Sequence, residues 1–239
     1  MTHKELIKIA KPLGMTEANF HKCVDGSKTE TRRVMPVQPP DDSYQMFTVA
    51  CTTGDKRTEG MRHWMKIAED KITPVDSKQP YFKPRYKVGD ICYLREPVQL
   101  LTLVLEAGED ELRFADGAYM WESYDQLNNF MRNITNEDHA KLMKRKRGWD
   151  APTTARFMLK SFARHFVEIT GVRAERLQDI TLGGICKEGL SKSIYDFKPA
   201  TRGIDAWVEL WNSINPKENT WDDNPWVWVF SFETVEATS

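Results

Sequence analysis

The sequence feature that most constrains the fold is the alternation of aromatic and other residues at positions 226–232. Large aromatic residues recur at every second position from Trp226 to Phe232, and Val227 and Val229 lie between them. A period of two is typical of a β-strand, and apolar residues at both sets of positions indicate that both faces of the strand are partly covered. The sequence therefore predicts a sheet whose last strand packs on both sides.

Helices are predicted from capping residues and from spacing. Thr16 and Thr181 stand at N-cap positions, and Gly26 and Gly189 follow where helices commonly end. Another helix is expected over residues 203–214, where the spacing i, i+3, i+4 and i+7 is met by Trp207, Leu210, Trp211 and Ile214. We expect this stripe to face the core, and core packing is favoured over base stacking for the tryptophans of this helix and of the last strand.

Strands are predicted at residues 91–96, 100–105 and 165–177, where β-branched and apolar residues follow turn signals. This order fits an α+β fold, a β-rich barrel with a few short helices, better than a parallel βαβ fold, which needs regular alternation. Residues at about 36–84 and 107–156 lack a strand pattern and are interpreted as insertions. We expect the first insertion to pack at the periphery.

The composition limits the possible partners and cofactors. The 34 Lys and Arg residues nearly balance the 35 Asp and Glu residues, so a globally basic nucleic-acid binder is excluded and any phosphate contact needs a local patch. The four cysteines form no CxxC pair and the five histidines are scattered, so we predict no disulfide framework, no metal site and no cofactor. No apolar run is long enough for a membrane span or placed as in a secretory signal, so a cytoplasmic location is expected.

The most unusual segment is polar. Gly26 is followed by seven side chains, SKTETRR, nearly all of which can form hydrogen bonds. One interpretation is a turn that presents Lys28, Thr31 and Arg33 to a polar cleft; the other, favoured by spacing alone, is an exposed edge strand whose charges discourage aggregation. Residues three apart on a regular strand point to opposite faces, so Lys28 and Thr31 converge only if the segment turns or bulges.

Four blocks along the chain share a pattern with a known family. They are DGSKTETRRV at 25–34, VGDICYLREP at 88–97, FMLKSFARHFVEITGVRAERLQDIT at 157–181, and the closing LWNSIN and NPWVWVFSF region. In this order they resemble the ASCH domain of the PUA-like superfamily, in particular its long members from phages and prophages. The resemblance implies one domain over residues 1–239, a small β-barrel with short flanking helices and the two insertions. It also implies that the protein is located in the cytoplasm of the host cell if it is encoded by a phage.

The resemblance also implies site residues. Small bacterial ASCH proteins are amidohydrolases that act on N4-acetylcytidine with a Lys and a Thr from a GxKTxTxR stretch and a Glu from a later helix. The matching catalytic residues in this chain are Lys28, Thr31 and Glu188. The implied substrate contacts are Thr29, Arg32 and Arg33. Base rates of exposure favour an alternative for Glu188, a helix-terminal carboxylate in water.

These residue types suit the removal of an acyl group from an exocyclic amine. The reaction needs an activated hydroxyl or water, a group that takes its proton and a donor for the leaving nitrogen. Thr31 can supply the hydroxyl, a desolvated Lys28 can be the base, and Glu188 can shuttle the proton or orient Lys28. Neighbouring NH groups or Arg33 can hold the developing oxyanion. The predicted function is hydrolysis of an N4-acylated cytidine, with a modified nucleoside or RNA as the partner.

A non-catalytic module that binds RNA or modified nucleic acid is the alternative, as is an ASCH-type ribonuclease that uses the same cleft. Its phosphate contacts are expected at a basic cluster formed by Lys144, Arg145, Lys146 and Arg147. The same cluster can equally be a solvated face. The two insertions have no counterpart in the small amidohydrolases, so they can reshape or cover the pocket.

Overall fold

The structure is a computed structural model that describes residues 1–48, 60–67, 74–76, 79–103, 109–114 and 155–238. Its helices are α1 (His3–Ile9), α2 (Glu17–Val24), α3 (Leu182–Lys187) and α4 (Thr201–Ile214). Its strands are β1 (Lys11–Gly14), β2 (Glu30–Val34), β3 (Tyr44–Thr48), β4 (Arg62–Ile67), β5 (Pro74–Asp76), β6 (Ile91–Arg95), β7 (Val98–Leu103), β8 (Glu109–Phe114), β9 (Phe166–Arg176) and β10 (Trp226–Val235). The predicted α+β class is confirmed.

A five-stranded sheet with the order β1-β6-β9-β10-β2 organises the molecule. β1 runs parallel to β6, and the other neighbours are antiparallel. The prediction of a closed barrel is wrong, because β1 and β2 are edge strands that share no ladder in the part of the chain that the structure describes. The Arg33 guanidinium of β2 instead donates to the Gly14 carbonyl of β1 at 2.6 Å, so a side chain rather than a backbone ladder joins the two edges.

Both faces of the sheet are covered, as the alternation on β10 predicts. Trp228, Phe230 and Phe232 pack into one core, with α2 and the segment that precedes β6. Val227 and Val229 pack into the other core, with α3 and α4. All five side chains are 3% exposed or less. Successive residues of β10 therefore serve two different layers.

The prediction that the segment at about 36–84 packs peripherally is wrong. It contributes an antiparallel sheet in the order β3-β4-β5, and Trp64 of β4 is fully buried in the same core as Trp228. The Trp64 ring lies 5.8 Å from the ring of Phe82 and 5.2 Å from that of Trp226, and its Nε1 donates to the Val37 carbonyl at 2.9 Å. Burying this large ring anchors the segment to the central sheet.

The second predicted insertion is also not free of strands. Within the predicted range of 107–156, β8 pairs antiparallel with β7, so the expected loss of strand pattern is wrong for residues 109–114. β7 overlaps the strand predicted at 100–105, whereas β8 contains no β-branched residue, so composition did not indicate it. The basic cluster at 144–147 lies outside the described residues.

The predicted helix signals are confirmed. The hydroxyl of Thr16 accepts from the NH of Asn19 at 3.3 Å, and Thr181 caps α3 in the same way. Gly26 and Gly189 end their helices with φ of +77° and +83°. The inward face of α4 is confirmed for Trp207 and Trp211, which are 3% and 4% exposed, and wrong for Ile214, which is 48% exposed. Ile214 is the last residue of α4.

None of the helices in the described ranges is both long and apolar enough to cross a membrane.

Candidate functional site

The turn before β2 is held by two helices. The NH of Lys28 donates to the Lys22 carbonyl at the end of α2, and the NH of Thr29 donates to the Lys187 carbonyl at the end of α3, both at 2.8 Å. On its other side the Thr29 carbonyl accepts from the NH of Phe232 at 2.9 Å. Lys28 thus precedes the regular strand, so the alternation rule that would separate it from Thr31 does not apply.

Lys28 and Glu188 form a buried ion pair. Their side chains are 2% and 4% exposed, and the Lys28 Nζ contacts Glu188 Oε2 directly. The same Nζ donates to the Glu188 main-chain carbonyl at 3.0 Å. Glu188 is the C-cap of α3, so its position depends on where that helix ends. The alternative of a solvated Glu188 is therefore wrong.

Arg32 links Glu188 to a second carboxylate. Its Nη1 donates to Glu188 Oε1 at 3.1 Å, and its Nε donates to Glu175 Oε1 on β9 at 2.8 Å. The guanidinium carbon lies 5.9 Å from the centre of the Trp207 ring, within the range of a cation–π contact. Arg32 is 3% exposed, so its charge is balanced almost entirely by these protein groups.

A further buried acid, Glu30, completes the network. Its carboxylate accepts from both terminal nitrogens of Arg173 at 3.1 and 3.0 Å, from Lys187 Nζ at 3.4 Å and from Ser231 Oγ at 3.2 Å. Burial acts to raise the pKa of Glu30, but the hydrogen bonds and charge of Arg173, with Lys187 and Arg32, hold it below its usual value. Glu30 is therefore a charged anchor for this side of the sheet.

Two glycines let α3 approach these charges. A Cβ at Gly189 would lie 3.0 Å from Lys28 Cβ and 3.0 Å from Lys22 Cδ. A Cβ at Gly184 would lie 3.0 Å from Arg32 Nη2. Contacts this short are tight, so a side chain at either position would require Lys28, Lys22 or Arg32 to shift by a few tenths of an ångström.

A small pocket lies beside the ion pair; we call it the charged pocket. One wall carries Lys28, Thr31, Arg32 and Glu188, and α4 supplies the other wall through Trp207, Leu210 and Trp211. Its free volume is about 70 Å³, smaller than the range of about 300–1,000 Å³ that is usual for ligand pockets. A nucleoside base could therefore enter only with movement of side chains. Within the described chain, the buried Nε1 of Trp207 has no hydrogen-bond partner.

The structure separates the predicted substrate contacts. Arg32 lies opposite Val229 in the ladder and Arg33 opposite Trp228, so the two guanidiniums leave β2 on different faces. Thr31 lies opposite Phe230, on the same face as Arg33, although it also lines the charged pocket at the sheet edge. Thr29 lines a separate, shallow depression with Ser27 and Cys186. Lys28, Thr31, Arg32, Arg33 and Glu188 all line the charged pocket, and Thr29 does not.

The thiol of Cys23 lies near the ion pair without being a suitable nucleophile. Burial raises the pKa of Cys23 to about 12, an effect that the nearby Lys28 charge only partly offsets. The thiolate is the nucleophilic form of cysteine, so Cys23 is inert at neutral pH. Among the residues that the structure describes, no group of His, Cys, Asp and Glu side chains is arranged to hold a metal ion.

The network of Glu30, Arg173 and Glu175 was not among the predicted site residues. A signal for it existed, because Arg173 and Glu175 lie two apart in a predicted strand and so share a face, and Glu30 lies inside the polar SKTETRR segment. Their meeting depends on the pairing of β2, β9 and β10, which joins residues 143 positions apart in the chain. Local sequence could not indicate that pairing.

Comparisons with family models, with curated proteins and with solved structures found no match to this chain.

Proposed function

We propose that the protein is a hydrolase that removes an acyl group from an N4-acylated cytidine bound at the charged pocket. The observation that carries this proposal is the buried contact of Lys28 Nζ with the Glu188 carboxylate in a pocket that Thr31 also lines. Buried, directly paired acid and base groups beside a pocket are typical of sites that move protons during catalysis.

The proposed reaction begins with a proton transfer inside the pair. Lys28 gives a proton to Glu188, and the neutral amine then takes the proton of the Thr31 hydroxyl as its oxygen bonds to the acyl carbon. The carbon–nitrogen bond of the amide breaks as the N4 nitrogen receives a proton from Lys28. Water then cleaves the acyl ester on Thr31, so that cytidine and a carboxylic acid leave. A water activated by Lys28 could attack the amide directly with the same products.

The free edge of β2 offers a donor for the developing oxyanion. The NH of Met35 donates to the Trp226 carbonyl, so the alternation of an antiparallel ladder directs the NH of Arg32 away from β10 and toward that edge. Arg32 and its neighbours Thr31, Arg33 and Val34 line the pocket in succession, which supports a pocket that runs along this edge. Because the Arg33 guanidinium lies on the other face, the Arg32 NH is the better candidate.

We also propose that the fold is a PUA-like domain of the ASCH type over residues 1–239. The support is a curved sheet whose two edge strands approach closely enough for Arg33 to bridge them through the Gly14 carbonyl. The VGDICYLREP block contains β6, and the block at 157–181 contains β9. These strands are neighbours in the central sheet. This arrangement is expected if the blocks that carry the resemblance form one core.

The test is turnover of a panel of N4-acylated cytidines, with products identified by mass. We expect the wild-type protein to release cytidine from at least one of them. Lys28→Met should lower kcat by about a hundredfold or more, the usual effect of losing a general base. Lys217→Met, which changes an exposed lysine outside the pocket, is the matched control.

Thr31 gives a second comparison that does not depend on removing a buried charge. Thr31→Ser keeps the hydroxyl and should keep measurable turnover, whereas Thr31→Val keeps the shape and should lose it. Equal activity of the two variants would exclude Thr31 as the nucleophile. Failure of the wild-type protein to hydrolyse any member of the panel would refute the hydrolase proposal.

A second candidate is a non-catalytic module that binds RNA or modified nucleic acid. The observation that favours it is that the charged groups of the pocket already bond to one another. Lys28 donates twice to Glu188, and Arg32 donates to Glu188 and to Glu175. Such an arrangement also suits a purely structural cluster. For this candidate, RNA binding should weaken when Lys144, Arg145, Lys146 and Arg147 are replaced by Ala. The slope of the logarithm of the binding constant against the logarithm of the salt concentration should become shallower by about 0.7 for each phosphate contact that is lost.

A further inference from the structure

A larger opening lies on the opposite face of β2 from the Arg32 guanidinium, between the two edge strands of the central sheet; we call it the basic cleft. Its walls come from β1, from β2 and from the segment that precedes β6, and Trp228 and Phe230 of β10 form its floor. Its free volume is about 410 Å³, within the range of about 300–1,000 Å³ of small-molecule sites. The size therefore suits a ligand no larger than a mononucleotide.

The cleft concentrates positive charge. Its lining includes Arg33, Lys83, Arg85 and Arg95, and no acidic residue is among the described residues that line it. None of these four cations forms an ion pair with a carboxylate in the described part of the chain. The whole chain carries a formal net charge of −1, so this local excess is a property of the cleft and not of the composition.

Packing holds the guanidiniums in place despite their mutual repulsion. Arg33 Nη2 donates to the Gly14 carbonyl at 2.6 Å, and the Arg85 guanidinium lies 5.6 Å from the centre of the Tyr86 ring. The Nε of Arg95 is buried and has no hydrogen-bond partner within the described residues. A buried donor without a partner destabilises the protein, and an anionic ligand that accepts from it would remove that cost.

Tyr86 supplies a neutral wall between these cations. Its hydroxyl donates to the Pro12 carbonyl at 2.5 Å, and burial raises its pKa, although nearby Arg85, Arg33 and Arg95 act in the opposite direction. The phenol therefore stays protonated and does not neutralise the guanidiniums. No described residue that lines the cleft therefore supplies a negative charge to balance the guanidiniums.

We propose that the basic cleft binds the terminal phosphate of a nucleotide. Guanidiniums match phosphate oxygens in pairs, which makes arginine better suited than lysine to hold this group in a fixed orientation. Trp228 and Phe230, which are otherwise packed in the core, contribute small apolar patches to the lining beside these cations. This inference is independent of the hydrolase proposal, because it uses neither Lys28 nor Glu188.

Calorimetric titration tests the inference with three probes: cytidine 5′-monophosphate, cytidine and inorganic phosphate. We expect the monophosphate to bind at least tenfold more tightly than cytidine, and inorganic phosphate to compete with it. Arg95→Gln and Arg85→Gln should each weaken its binding by about ten- to hundredfold, the usual effect of losing a hydrogen bond to a charged group. Lys217→Gln, on the surface outside the cleft, should leave the affinity unchanged.

Two further titrations complete the test. One distinguishes a terminal phosphate from the backbone phosphates of RNA, and the other distinguishes this proposal from the hydrolase proposal. A short RNA without a terminal phosphate should bind less tightly than the monophosphate; equal binding that depends on Arg95 would assign the cleft to backbone phosphates and overturn the proposal. Lys28→Met should retain monophosphate binding even where it abolishes hydrolysis. Equal affinity for cytidine and its monophosphate, or unchanged affinity in both arginine variants, would also overturn the proposal.

Discussion

The charged pocket and the basic cleft lie on either side of the same strand and handle charge in opposite ways. In the pocket, Lys28, Arg32 and Glu188 are buried, and each contacts a group of opposite charge. In the cleft, Arg85 is exposed and Arg95 has a buried donor without a partner in the described chain. The pocket balances its own charges, whereas no described residue that lines the cleft balances the charge of its cations.

Strand β2 produces this difference through its alternation. Arg32 and Arg33 are neighbours in sequence, yet they face Val229 and Trp228 respectively in the ladder with β10. Because successive side chains point to opposite faces, the two guanidiniums lie on opposite faces of the sheet, and only Arg33 also lines the basic cleft. A proton-transfer site needs fixed, desolvated partners, whereas a site for a charged ligand needs free cations.

The sharpest test of this contrast is to remove one charge from each region. Glu188→Gln removes the charge that Lys28 and Arg32 share, and breaking a buried ion pair in this way costs about 3–5 kcal/mol. We expect the free energy of unfolding in urea to fall by that amount. Arg85→Gln breaks no ion pair with a described residue, so its effect should stay within about 0.5 kcal/mol.

A double variant controls for the loss of packing in this experiment. Lys28→Met combined with Glu188→Leu replaces the pair by apolar groups of similar size, a change that is often close to neutral. It should therefore recover much of the stability that Glu188→Gln loses. If Glu188→Gln lowered the free energy of unfolding as little as Arg85→Gln does, the charges of the pocket would not be paired in solution. The pocket and the cleft would then not differ in how they balance charge.

Local signals predicted the elements of the site well. The caps at Thr16 and Thr181 and the helix ends at Gly26 and Gly189 depend on residues within one helical turn, and the alternation on β10 depends on immediate neighbours. Trp64 could not be predicted as a core residue, because β4 pairs with β3 across a long connection and its segment lacks an apolar period. Core membership of that segment is decided by tertiary contacts rather than by its own sequence.

The sequence indicated residues of the charged pocket but, apart from Arg33, none of the residues of the basic cleft. The SKTETRR segment and the later helix were predicted to meet, and Lys28 and Glu188 do so. The basic cleft was not predicted, because Arg33, Arg85 and Arg95 come from three separate parts of the chain and each is unremarkable in its own segment. Only the sheet order brings β1 and β2 to opposite edges of one opening.

A smaller effect separates two glycines that end helices in the same conformation. Gly189 and Gly26 have φ of +83° and +77°, so an alanine at either position costs about 1–2 kcal/mol in backbone strain. Only at Gly189 would the added Cβ meet Lys28 Cβ and Lys22 Cδ, at 3.0 Å each, whereas Gly26 has open space. Gly189→Ala should therefore cost about 1–3 kcal/mol more than Gly26→Ala in urea unfolding, the usual cost of overpacking. Equal losses would contradict the tight approach of α3 to the charged pocket.

The smallest expected effect is a difference in acid sensitivity on the pocket side of the sheet. Arg173 and its neighbours hold the pKa of Glu30 below its usual value of 4.5, so the folded state binds fewer protons than the unfolded state as the pH falls through that region. The stabilisation from Glu30 is complete above about pH 4.5 and is lost as the pH drops through the lowered pKa.

Urea unfolding of the wild-type protein and of Glu30→Gln at a series of pH values measures this contribution. At neutral pH the variant should be less stable by on the order of 1 kcal/mol, because a charged acceptor of the Arg173 hydrogen bonds is lost. Below about pH 4.5 the two curves should converge, since the wild-type carboxyl becomes protonated there. Arg95→Gln is the control from the basic cleft: guanidinium does not titrate in this range, so its curve should run parallel to that of the wild type. A constant gap between wild type and Glu30→Gln would show that Glu30 is not a titrating partner of Arg173, and the distinction between a self-balanced pocket and an open cleft would rest on Lys28 and Glu188 alone.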